Sequence, residues 1–378
     1  MIYLDHAATS HPRPEAVYRA ADAALRAGGN PGRGGHRLAL SAGRLVLQAR
    51  ETVAGFFGLS DSSRVIFTGS ATDSLNLALK GLLRPGDHVI TTLAEHNGLR
   101  RPLAALQRQG VEVDWLPVSP EGLLDPAEVE RAVRPNTRLI ATHHGSNVTG
   151  AIQPVPELAE IARRREVLLL VDAAQTAGSL PLAPEQMGIH LLAAPGHKGL
   201  LGPPGTGLLL VAPGVELRPV REGGTGSQSE SAEQPGTFPD GFESGTLNLP
   251  GIAGLAAGIG WLREHPAGGR EQELTRALAE GLRAIPGVTV YGPAAGRPRC
   301  AVVCFNLAGC HPGELEELLD EAGVLGRAGL HCNPGAHRAA GSFPLGGAMR
   351  LSPGWSTTPE EIDAALRAVA ALAAGRRF

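Results

Sequence analysis

Two short apolar runs near the middle of the chain each deliver one reactive charge. Val167-Leu168-Leu169-Leu170-Val171 ends in Asp172-Ala173-Ala174-Gln175, and the run from His190 to Pro195 ends in Gly196-His197-Lys198. Runs this short, bounded by turn residues, read as buried strands. In an open α/β sheet the C-terminal strand edge is where ligands bind. An acid and a lysine held together in such a crevice suit pyridoxal 5'-phosphate (PLP). The lysine condenses with the cofactor's aldehyde, and the acid keeps the pyridine nitrogen protonated so that the ring can act as an electron sink.

Other chemistry-bearing residues fall at similar places. A strand at 64–68 leads through Gly69-Ser70-Ala71-Thr72-Asp73 into a helix at 74–83. Free N–H groups and the helix dipole there suit a phosphate, although a plain connector looks the same. His96 follows a strand at 88–92 and reads either as a cap or as an imidazole stacked on a cofactor ring. Asn147 sits in a polar loop at 143–150 that could border a site or hold only itself. Cys332 lies in segment 327–335, which shows no strand or helix pattern, so its thiol is expected to be exposed. His331 and Arg327 beside it would favour thiolate; the alternative is an incidental thiol. Arg350, in a short strand at 349–352, is suited either to an ion pair or to a bidentate carboxylate contact.

Positioning these groups takes an alternating framework. Strands are expected at 64–68, 88–92, 111–116, 139–142 and 167–171. Helices are expected at 14–27, 38–57, 74–83, 99–109, 126–133 and 155–165. The alternation implies βαβ units and a mainly parallel sheet. A glycine-rich loop at 30–36 follows the first helix. Residues 223–241 read as a long functional loop. From residue 250 the texture becomes α+β, with helices at 252–261, 272–285, 314–322 and 359–372 and strands at 288–290 and 300–305. The expected division is a large domain over 15–248 and a small one over 1–14 and 249–378, the latter carrying Cys332 and Arg350.

Composition narrows the function classes. The chain has 378 residues, 43% hydrophobic, with a net charge of -3. That is ordinary for a globular protein and gives no sign of a nucleic-acid partner. Its 51 glycines and 30 prolines fall mostly at segment ends, which points to tight loops. No run is long and apolar enough for a membrane helix, and the start lacks the basic and apolar parts of a signal peptide, so a cytoplasmic location is expected. The four cysteines form no C-x-x-C pair and are expected as free thiols, with no metal site.

Taken together, these residues resemble the PLP-dependent class V aminotransferase superfamily, and within it the cysteine desulfurases and selenocysteine lyases. The likeness runs from Tyr3-Leu4-Asp5-His6-Ala7-Ala8 to the last helix. Its most specific parts are Val171-Asp172-Ala173-Ala174-Gln175 and Gly196-His197-Lys198. Arg327-Ala328-Gly329-Leu330-His331-Cys332 is similar to the segment around the sulfur-accepting cysteine. The resemblance implies the PLP-dependent transferase fold (fold type I), with a seven-stranded-type sheet and a smaller C-terminal domain. It implies that Lys198 carries PLP, Asp172 pairs with the ring nitrogen and Gln175 with the ring hydroxyl. His96 would stack on the ring and move protons. Ala71, Thr72 and His197 would hold the phosphate, and Thr246 would reach the phosphate of a neighbouring subunit, hence a homodimer. Asn147 and Arg350 would bind the substrate carboxylate, and Cys332 would take sulfur from L-cysteine as a persulfide, with a sulfur-acceptor protein to follow.

Selenocysteine lyase, another C–S lyase, an aminotransferase and a non-catalytic scaffold are the other readings. Two departures stand out. Pro195 and Ala71 occupy positions where many relatives have hydroxyl residues, which predicts fewer phosphate hydrogen bonds, each worth about 1.5–3 kcal/mol. Asn333-Pro334-Gly335 follows the cysteine and predicts a different loop geometry.

Overall fold

The computed structural model describes residues 1–32, 34–266 and 268–375; Arg33 of the glycine-rich loop, Ala267 and the last three residues lie outside it. The first part of the chain runs β1 (Ile2–Tyr3), α1 (Glu15–Ala27), α2 (Arg37–Phe57), β2 (Val65–Thr68), α3 (Ala71–Leu82), β3 (His88–Thr92), α4 (Asn97–Gln107), β4 (Glu112–Leu116), α5 (Pro126–Ala132), β5 (Thr137–His143), α6 (Val155–Arg165), β6 (Leu168–Asp172), β7 (Leu191–Pro195) and β8 (Gly207–Val211). It continues with α7 (Leu249–Glu264), α8 (Gly268–Arg283), β9 (Val288–Val290), β10 (Val303–Leu307), α9 (Pro312–Glu321), β11 (Val324–Leu325), β12 (Arg327–Gly329), α10 (Pro334–Ala340), β13 (Ala348–Leu351) and α11 (Pro359–Ala373).

Seven strands form one sheet in the order β2-β8-β7-β6-β5-β3-β4. All neighbours are parallel except β8, which runs antiparallel to β7 and β2. The central strands are apolar on both faces because helices cover both. Leu169, Val171, Leu192 and Ala194 pack with α2, α6 and α7 on one side. Their sequence neighbours Leu170, Leu191 and Ala193 pack with α3 and α4 on the other. The two-residue alternation of a strand thus becomes two cores.

Strand β8 was not expected from the sequence, since Gly-Leu-Leu-Leu-Val reads as the tail of the preceding Gly/Pro turn. Its first residue must be glycine: a Cβ on Gly207 would lie 2.4 Å from the Ser70 carbonyl carbon.

A second, antiparallel sheet has the order β12-β13-β10-β9, backed by α8, α9 and α11 around Leu278, Phe305, Leu319, Met349 and Val369. α11 starts at Thr358 with a reciprocal cap: Thr358 Oγ1 accepts from Glu361 N, and Glu361 Oε2 accepts from Thr358 N. The expected strand at 300–305 begins later, at Val303. Cys300 precedes it and Arg299 bridges to Ala151 of the large domain.

Two segments pack across the expected domain division. Helix α7 begins just past residue 248, and its Leu249, Ile252, Leu255 and Ile259 belong to the core of the large sheet. An apolar helix follows the core it buries against, whatever the composition around it. The N-terminal segment also divides. β1 pairs with β11, and Leu4 enters the small core. Beyond it, Ser10 N–H donates to His197 O and Ser10 Oγ–H to Lys198 O, both at 2.9 Å. Residues 5–13 therefore strap one domain to the other across the site.

The long segment 223–248 has no strand or α-helix, but its end is anchored. Arg50 holds Glu243 through two bonds of 2.8 and 2.7 Å, with both side chains about 5% exposed. Phe67 N–H donates to the same carboxylate. Removing either partner would strand a buried charge, at a cost of about 3–5 kcal/mol.

Candidate active site

Asp172 closes β6, and Lys198 follows β7 by three residues. The two strands are paired through Asp172 and Ala193, so both charges meet at one sheet edge. They line a cavity of about 260 Å³. Asp172 Oδ1 accepts from Ala174 N–H at 2.9 Å. Burial pushes its carboxyl up, only partly offset by that bond and by Lys198. Burial and then Arg350 lower the Lys198 amine to about 8, with Asp172 and Asp5 pulling the other way. Capture of an aldehyde cofactor needs the neutral amine. Its rate in the cofactor-free protein should therefore rise about tenfold per pH unit below the lysine's pKa. It should level off above about 8. Stopped-flow absorbance of PLP uptake measures this; a rise continuing toward the ordinary lysine value of 10.5 would contradict it.

One end of the cavity is the start of α3. Ser70 Oγ is spent on capping, accepting from Asp73 N–H at 3.1 Å. Ala71 and Thr72 supply the first two N–H groups of the helix, which have no carbonyl four residues back inside it. Both residues line the cavity, as do Gln175, Pro195 and His197. Gln175 Nε2–H donates to Ala7 O at 3.2 Å. His197 Nδ1 meets Thr9 Oγ1 at 3.1 Å, and burial followed by Lys198 holds its imidazole near 4, hence neutral.

His96 caps α4, its Nδ1 accepting from Gly98 N–H at 2.9 Å. Burial and Lys198 lower the ring to about 4. It is therefore neutral, with its proton on Nε2, and keeps one donor for a partner in the cavity. Just before it, Glu95 is fully buried among donors: Thr92 Oγ1 at 2.7 Å, His143 N at 3.0 Å and His143 Nδ1 at 3.0 Å. Burial opposes charge on His143, while Glu95 draws its pKa up. Gln153 decides the protonation. Its Oε1 accepts from Leu124 N–H, so its Nε2–H must donate to His143 Nε2 at 2.9 Å. That ring is neutral, with its proton on Nδ1. His143 stands beside Asp172 in the sheet register. Neither Glu95 nor Gln153 was singled out from the sequence; the available signal was an acid at a strand's C-terminal end.

The small domain supplies the opposite wall. Arg350 is buried, with Nη2–H donating to Asp5 Oδ1 at 2.8 Å and Nη1–H to Asn147 O at 3.4 Å. Its Nε–H has no partner among the described residues. Arg350 thus makes an ion pair with Asp5 and also lines the cavity. Asp5, also unforeseen, fixes its direction. Cys332 is exposed and lines the same cavity, with Asn147 and Asn333. Segment 327–335 shows no strand or helix pattern in sequence, but β12 precedes Cys332 and α10 follows it, with Asn333 as cap and Pro334 as first residue. A Cβ on Gly335 would lie 1.7 Å from Leu93 O, so only glycine lets α10 dock there.

The expectation that His331 helps to charge the thiol is corrected. Burial and Arg350 depress its ring to about 3. Its Nε2–H donates to Arg327 O, and His337 donates to its Nδ1. Of the two residues expected to favour thiolate, Arg327 is the one that carries a charge. Cys300 and Cys304 are buried and pushed up to about 12, inert as expected. Thr246 is exposed and does not line the cavity of its own chain.

The residues present fit PLP: an amine of lowered pKa, a buried carboxylate, a helix N-terminus and a neutral imidazole with one free donor surround one cavity. The expected hydroxyls are indeed absent at Ala71 and Pro195, and Ser70 is committed to its cap. The phosphate end would rest on Thr72, His197 and backbone N–H groups.

Comparison with known proteins agrees. The aminotransferase class-V family model matches residues 2–365. A probable cysteine desulfurase of Methanothermobacter thermautotrophicus is 36% identical over 374 residues, covering 96% of this chain and 92% of that one. The apo cysteine desulfurase of Thermococcus onnurineus NA1 superimposes with a TM-score of 0.92 at 32% identity, covering 99% of this chain and 95% of that one. The cysteine desulfurase CsdA of Escherichia coli does so with a TM-score of 0.85 at 28% identity, covering 100% and 95%. The chain belongs to the PLP-dependent class V aminotransferase superfamily, in its cysteine desulfurase family, and has the fold type I architecture.

Proposed function

We propose that the protein is a PLP-dependent cysteine desulfurase, which converts L-cysteine to L-alanine and receives the sulfur on Cys332 as a persulfide. The observation that carries this reading is convergence. Cys332, Arg350 and Asn147 line the same cavity as Lys198 and Asp172. A thiol, a carboxylate-binding guanidinium and a basic amine thus face one bound amino acid.

When bound, PLP supplies the electron sink for the substrate's α-carbon. Lys198, with a pKa near 8, takes a proton from that carbon and returns one later. Asp172 would hold the proton on the ring nitrogen. His96, neutral with its proton on Nε2, lines the cavity and would offer that N–H to the bound group. Arg350 and Asn147 grip the carboxylate. The Cys332 thiolate attacks the substrate sulfur, so that an S–S bond forms as the C–S bond breaks. The bonding pair remains on carbon, which is protonated to give alanine. Thiol plus cysteine thus become persulfide plus alanine, with no outside oxidant.

A second copy of the chain belongs to this reading. Thr246 is exposed away from its own cavity, and Tyr18, Leu25, Leu38, Leu40 and Leu47 leave α1 and α2 with exposed apolar side chains. Incubation with L-cysteine and a thiol reductant should yield alanine and sulfide in equal amounts. Pyruvate with sulfide, or a keto acid from another amino acid, would sink the desulfurase assignment.

A further inference from the structure

The segment carrying Cys332 adopts a conformation that its own sequence does not favour. His331 and Cys332 both have left-handed backbones, with φ of 50° and 56°. Two adjacent non-glycine residues there are strained, and such strain persists only where surroundings impose it. The large domain imposes much of it. Asn147 Nδ2–H donates to His331 O at 2.7 Å. Asn97 N–H donates to Cys332 O at 2.9 Å. Asn333 Nδ2–H donates to Ala94 O at 2.8 Å and to Asn147 Oδ1 at 3.0 Å. Asn333 is buried, at 1% exposure, and its Oδ1 accepts from Ala336 N–H at 3.1 Å.

One carboxamide therefore does two separable things. Its oxygen caps α10, and its nitrogen staples the cysteine segment to the large domain. The staple also fixes Asn147: with Oδ1 held as an acceptor, one Asn147 N–H reaches His331 O and the other is left for a ligand. Cys332 in turn fills the first open N–H of α4, the helix capped by His96. The backbone carrying Cys332, the Asn147 amide and the helix capped by His96 are thus joined in one net.

We infer that the Asn333 carboxamide is a positioning group for Cys332 and, through Asn147, ties the thiol's placement to the carboxylate pole of the site. This deepens the desulfurase reading and rests on it for its consequence in turnover.

Asn333→Asp separates the two tasks, because it keeps an acceptor for Ala336 N–H and loses both N–H donors. Asn333→Ala loses everything. Amide hydrogen exchange of the holoenzyme, resolved at Asn97 and Ala336, reads the staple and the cap independently of turnover. In both variants exchange at Asn97 should quicken about tenfold or more. At Ala336 it should quicken only in Asn333→Ala. With L-cysteine, Asn333→Asp should lower kcat and raise KM, each by about tenfold. If Asn333→Asp matches the unsubstituted protein at Asn97, Asn333 is a helix cap and nothing more. Faster exchange with unchanged kinetics would equally overturn the positioning role. If instead Cys332→Ser turns over at the full rate, the desulfurase reading fails, while exchange at Asn97 still decides the staple.

Discussion

Replacing Lys198 with alanine is expected to remove turnover and to leave PLP bound only by non-covalent contacts, so that dialysis strips it. The reasons lie in the amine's surroundings. Burial and Arg350 bring its pKa to about 8, so a usable fraction is neutral near neutral pH, while Asp172 and Asp5 keep a proton within reach. Loss of proton transfer alone costs about 10²–10⁴-fold in rate. Lys198→Arg should not rescue it, because a guanidinium stays protonated and cannot take a proton from carbon. Cofactor absorbance after dialysis, together with kcat, checks both parts. Retained turnover in either variant would remove Lys198 from the mechanism.

Cys332→Ser should abolish sulfur transfer while leaving cofactor uptake and its pH profile as they were. The side chain is exposed at the cavity mouth and none of its side-chain atoms makes a hydrogen bond among the described residues. The segment is held by the Cys332 carbonyl and by the side chains of Asn147 and Asn333, all retained in the serine variant. A serine hydroxyl titrates far above a thiol and cannot form a persulfide. Alanine release from L-cysteine should fall by a factor of about 10³ or more, the loss expected of a missing nucleophile. Full-rate alanine production by this variant would mean that sulfur leaves by another route.

The parts of the site legible in sequence are those where the chain makes a local statement. Asp172 and Lys198 each end a continuous apolar run, and a run buried on both faces points its end at the ligand edge. Ala71 and Thr72 follow a strand and open a helix, which is again a short-range pattern. Asp5 and Arg350 could not be paired this way, since they lie 345 residues apart and meet because the stretch after β1 bridges to Ser352, just past β13. Glu95 looked like any acid after a strand until its burial and its donors were seen. α10 was hidden by Pro334 and Gly335, residues that usually interrupt helices but here serve as first residue and docking point. β8 was masked by the Gly/Pro turn before it. α7 shows the limit of composition: the texture changes after residue 250, while the helix packs on the large sheet.

The central claim is that sulfur passes from L-cysteine to Cys332. It is tested most directly by digesting the holoenzyme after brief exposure to L-cysteine, without reductant, and weighing the peptide that carries Cys332. The account predicts that this peptide gains one sulfur atom, removable by a thiol reductant, while the peptides carrying Cys300, Cys304 and Cys310 stay unchanged. An unmodified Cys332 in protein that nonetheless produces alanine would contradict it.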